Sequence, residues 1–83
     1  GAAMGELYQS GSIIIRFYAN DHLPPHFHIL TPDDEALVEI ATLRLLAGAL
    51  PGKIEREALA WAAENRAAVA AEWNRTNARF PIA

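Results

Sequence analysis

Apolar and polar positions alternate through the first half of the chain, and a helical stripe runs through the second. Over residues 12–19, Ile13, Ile15 and Phe17 interleave with Ile14, Arg16 and Tyr18. A period of two rich in β-branched and aromatic side chains predicts a strand. Residues 20–25 predict a loop, because Pro24 and Pro25 restrict the backbone to extended or turn conformations and remove two amide donors. A second strand is expected at 26–31, with Phe27 and Ile29 on one face and His26 and His28 on the other. Thr31-Pro32-Asp33-Asp34 has the composition of a turn. A third strand at 35–41 then closes a hairpin, with Ala36, Val38 and Ile40 on one face and Leu37 and Glu39 on the other.

The apolar run at 43–49 fits a short strand or a helical turn, and the strand is the preferred reading. Gly48, Pro51 and Gly52 interrupt the pattern. From 53 to 77 the period lengthens: Ile54, Ala58, Trp61, Ala62, Val69 and Trp73 fall on one stripe at helical spacing, and alanines fill the outer side. Asn65 lies within that stripe, so it either divides the segment into two helices or is a buried, hydrogen-bonded amide.

These elements predict an α+β fold, with a three- or four-stranded antiparallel sheet and a C-terminal helix packed on one face. The expected core joins Ile13, Ile15, Phe17, Phe27, Ile29, Val38 and Ile40 to Trp61, Val69 and Trp73. One domain over residues 4–83 accounts for the length, and Gly1-Ala2-Ala3 ahead of Met4 reads as a cloning remnant. Exposed sheet edges and one uncovered face favour a homo-oligomer.

Composition narrows the chemistry. With no cysteine, disulfides, thiolate zinc sites and cysteine nucleophiles are excluded. No stretch approaches the roughly 18 apolar residues of a membrane span. Together these favour a cytoplasmic protein with no membrane partner. The net charge of −3 and the lack of any Lys/Arg run disfavour general nucleic-acid binding.

All three histidines fall within the seven positions from His22 to His28. On the strand reading, the face opposite the helix gathers Ile14, Arg16, Tyr18, His26, His28, Leu37 and Glu39, with Asp21 and His22 hanging over it from the loop. Three functions compete for this surface. Polar residues are ordinary on an outer sheet face, and Tyr, His and Arg suit protein contacts, so an interaction module using Arg16, Tyr18, Asp21, His22, His26 and His28 is the leading expectation. The first alternative is a divalent-metal site, with His26, His28 and Glu39 supplying two imidazoles and a carboxylate. The second is phosphate binding or RNA cleavage, with His22, His26 and His28 moving protons and Arg16 stabilising charge on phosphate.

The run Ile15-Arg16-Phe17-Tyr18-Ala19-Asn20-Asp21-His22, followed by Pro24-Pro25-His26-Phe27-His28-Ile29, resembles the bacterial DUF4160 family, a domain of unknown function. The acidic hairpin at Glu35-Ala36-Leu37-Val38, the Leu50-Pro51 step, and Asn65-Arg66 with Glu72-Trp73 extend the likeness. The specific part is D-H-x-P-P-H-x-H, carried here by Asp21, His22, Pro24, Pro25, His26 and His28. The resemblance implies no established activity. It implies a small bacterial protein whose gene neighbours another short family, DUF2442, in a toxin–antitoxin-like arrangement, and hence a small protein partner.

Overall fold

The computed structural model describes residues 5–82. Five strands come first: β1 (Gly5–Ser10), β2 (Ile13–Phe17), β3 (His26–Leu30), β4 (Glu35–Glu39) and β5 (Leu45–Gly48). Two helices follow, α1 (Gly52–Glu64) and α2 (Arg66–Thr76). Each strand pairs antiparallel with the next, so the sheet order is the chain order.

The α+β class and the predicted hairpin are present, and the sheet has five strands where three or four were expected. The short strand preferred at 43–49 is β5. The additional strand is β1, whose sequence Gly-Glu-Leu-Tyr-Gln-Ser carries little apolar content and slips register between Glu6 and Tyr8. The C-terminal stripe is two helices, and Asn65 marks the division: its backbone leaves helical geometry, with φ −127°, while its side-chain amide, half-buried rather than buried, donates to the Trp61 carbonyl at 2.8 Å. Residues 1–3, expected to be a cloning remnant, lie outside the described residues.

Alternation then sorts the side chains. Ile13, Ile15, Phe17, Phe27, Ile29, Val38 and Ile40 are buried on one face, and Ala58, Ala62, Val69 and Trp73 close over them from the helices. Trp61 packs only partly buried at the margin, against the Tyr8 ring at 5.0 Å. Trp73 is fully buried and donates its indole N–H to the Phe80 carbonyl at 2.7 Å, which also anchors the chain end. No helix among the described residues is long and apolar enough to cross a membrane.

A candidate metal centre at the histidine corner

The loop between β2 and β3 folds back over the start of β3 and is pinned to the end of α2 by one amide. Asn77 is 2% exposed, and its Oδ1 accepts the Asp21 backbone N–H at 2.5 Å. Its Nδ2 donates to the Tyr18 carbonyl at 3.0 Å and to Thr76 Oγ1 at 2.9 Å. The Asn20 N–H meets the Thr76 carbonyl at 3.3 Å. The Asp21 carboxylate is thereby held against β3.

The three rings gather there. His26 and His28 stand two residues apart on β3 with ring centroids 5.2 Å apart, as strand periodicity requires, and the His22 ring lies 4.7 Å from that of His26. Asp21 Oδ2 is 3.0 Å from His26 Nε2 and 3.1 Å from His28 Nε2. Asp21 Oδ1 takes the other side, accepting the His22 backbone N–H at 2.9 Å and facing His22 Nδ1 at 2.9 Å.

The second nitrogen of each β3 ring settles its tautomer. His26 Nδ1 faces the Pro24 carbonyl at 2.8 Å, and His28 Nδ1 faces Glu35 Oε2 at 3.0 Å. Both oxygens can only accept, so each Nδ1 carries a hydrogen. In the neutral imidazole the lone pair is then at Nε2, and both lone pairs face one carboxylate oxygen. Three acceptors so arranged need a cation among them, either a proton or a metal. For His28 a proton on Nε2 would align with Asp21. For His26 it would not: Nε2 is close to Asp21 Oδ2 but off line, and this fully buried atom has no hydrogen-bond partner among the described residues. Ligand atoms about 2.1 Å from a common ion stand roughly 3.0–3.4 Å from one another, which matches both contacts to Asp21 Oδ2, while the two imidazole nitrogens, within 4.8 Å of each other, would draw together around a shared ion.

Asp21 is electrostatically suited to the same task. Burial is the largest influence and pushes its carboxyl pKa upward. Where the cation at the β3 rings is a proton, the hydrogen bonds from His28 and from the His22 backbone, with the charge on His26 and His28, outweigh it and hold the carboxyl below its ordinary range.

Asp21, His26 and His28 thus present ligand atoms all within 4.8 Å of one another. The carboxylate in this set is Asp21, where the sequence reading has Glu39. Glu39 does lie opposite His26 in the β3–β4 register, but its Oε1 accepts the Thr42 hydroxyl at 2.6 Å in the turn beyond. His26 also departs from the expected open face. At the start of its strand it is covered by the loop and packs against Trp73, with ring centroids 5.7 Å apart. Arg16 stands opposite His28 in register, yet its guanidinium pairs with Glu6 on β1. That carboxylate, followed by Tyr18, raises its pKa further above an already high ordinary value. Tyr18 turns its ring edge-on to His28 at 4.6 Å.

Two contributors escape the sequence reading. Asn77 sits four residues after Trp73, where a polar amide continues the apolar stripe, and that spacing is the signal for it. Glu35 is diagonal to His28 across the hairpin and becomes visible only once the register is known.

The family model described as "Domain of unknown function (DUF4160)" matches residues 12–74. This span includes Asp21 and all three histidines and ends before Asn77. No curated protein and no solved structure shows significant similarity to the chain.

Proposed function

We propose that this chain, which belongs to the DUF4160 family, is a divalent-metal-binding domain whose ligands are Asp21 Oδ2, His26 Nε2 and His28 Nε2. The observation that carries the reading is the buried His26 Nε2, left without a hydrogen-bond partner among the described residues beside a carboxylate oxygen that already faces a second imidazole. Two imidazoles and one carboxylate suit zinc and neighbouring transition metals, whereas magnesium and calcium prefer all-oxygen sites. The flanking acceptors fit as well, since a ligating histidine usually gives its other N–H to a carbonyl or carboxylate. Phosphate chemistry has less support, because Arg16, the cation it would require, is paired with Glu6.

The test is zinc titration of chelator-stripped protein by calorimetry. One zinc per chain is expected for the wild type, with binding lost in Asp21→Asn and His26→Gln, both checked for folding by circular dichroism. A folded wild-type protein that takes up no zinc would sink the reading.

The reading as an interaction module draws on a different observation. On the sheet face turned away from the helix-covered core, Ile14, Leu30 and Leu37 are only half-buried, and Leu46 on the outer strand β5 is exposed. A second copy, or a small partner in a toxin–antitoxin-like pair, would cover these side chains. Light scattering at high concentration checks the first case: a dimer dispersed by Leu46→Glu supports it, and a persistent monomer of about 9 kDa counts against it.

A further inference from the structure

We infer that His22 is the fourth ligand of this centre and swings in through its Nε2 to close the coordination shell on the solvent side, an assignment that rests on the metal reading above. Three protein ligands leave a zinc ion at least one position short of a tetrahedral shell. The side chains already in place are nearly sealed from solvent, with His26 at 0%, His28 at 12% and Asp21 at 15% exposure. The missing position therefore lies on the outer side, where the His22 ring sits.

His22 is prepared for that role in the same way as the other two rings. Its Nδ1 faces Asp21 Oδ1, a carboxylate oxygen that only accepts, so the neutral ring carries its lone pair at Nε2. All three histidines thus share one tautomer, and in each the Nδ1 proton goes to an oxygen: Asp21 Oδ1, the Pro24 carbonyl and Glu35 Oε2. Asp21 serves both sides, offering Oδ2 toward the ion and Oδ1 toward His22.

His22 also has the freedom to move. Its side chain is 69% exposed, and its side-chain hydrogen-bonding contact is with Asp21, one residue away. Its nitrogens stand outside the compact three-atom group, so closure requires a side-chain rotation, which an exposed ring makes without disturbing the core. Coordination needs only the neutral ring's lone pair; no covalent bond is broken and the ring keeps its Nδ1 proton, whose hydrogen bond to Asp21 Oδ1 is exchanged for one to water as the ring turns. The closed shell would hold three nitrogens and one oxygen, and four protein ligands leave no open position for a water, as in structural rather than catalytic zinc sites.

The probe is cobalt(II) in place of zinc, read by visible absorption in wild type and His22→Ala, with zinc affinity measured on both. The expected wild-type spectrum is the intense absorption of a four-coordinate cobalt site. In His22→Ala it should collapse toward the weak absorption of a higher-coordinate, water-bearing ion, with zinc affinity falling about 100-fold. If affinity drops while the cobalt spectrum stays unchanged, His22 only orients Asp21 and the inference fails. If neither changes, it fails too, although the three-ligand reading survives. A wild type that binds neither metal overturns the underlying reading itself. Because His22 is exposed, the variant keeps its fold, and its amide NMR spectrum verifies this.

Discussion

Each β3 imidazole at the corner is fixed from behind by an oxygen, and those oxygens have separable effects. Glu35 touches no other ligand atom, yet it sets the His28 tautomer. Glu35→Gln should therefore weaken zinc binding by about 10–100-fold, the range for losing such a supporting contact. Glu39→Gln, in the turn with Thr42, should leave it unchanged; competition with a chromophoric chelator distinguishes the two. Asp21 gives a further handle in metal-free protein. Its folded-state pKa is lowered, so its contribution to stability is present above the unfolded value near 3.8 and is lost as pH falls through the lower folded value. The urea midpoint of the wild type should fall below about pH 4 more steeply than that of Asp21→Asn. At this scale the sequence was partly legible. His-x-His spacing places two rings side by side whatever surrounds them. The choice between Glu39 and Asp21 depends on which carboxylate a distant amide holds in place, and no local pattern encodes that.

Among the elements, the tight ones are those with backbone demands. Gly48 ends β5 at φ +79°, opposite Ala36, and a Cβ there would run into the Glu35 carbonyl and the Ala36 Cα. Gly48→Ala should cost at least about 1–3 kcal/mol from the backbone conformation alone, measured by urea denaturation. It should also loosen β4, which carries Glu35 to His28. The core strands were readable because alternation of Ile, Phe and Val against polar neighbours leaves little choice of face. The first strand was not, because Leu7 and Tyr8 are its only large apolar residues and its pairing is irregular. The helix break was visible as a polar residue in an apolar stripe, and Asn65 satisfies its own amide one turn back instead of reaching for the core.

At the scale of the whole molecule, an 83-residue domain has a stability of roughly 4–12 kcal/mol, so single anchors matter. Trp73→Ala would remove a fully buried side chain and the indole bond to Phe80, a loss of about 3–5 kcal/mol that should lower the urea midpoint followed by circular dichroism by a large fraction of its wild-type value. Zinc should act in the opposite sense. At 100 times its dissociation constant a ligand specific to the folded state adds about 2.7 kcal/mol, which for a domain this size raises Tm by roughly 10–20 °C. A scan with and without zinc reads this directly, and Asp21→Asn should abolish the shift. The meander topology also sets an order of events. Every strand finds its partner in the adjacent stretch of chain, whereas Asn77 must return across 56 positions to grip Asp21. During synthesis the hairpins can therefore form while the corner is still open, and a chain that has not yet exposed Asn77 should hold zinc only weakly, so ion capture would report that the C-terminal end has come home.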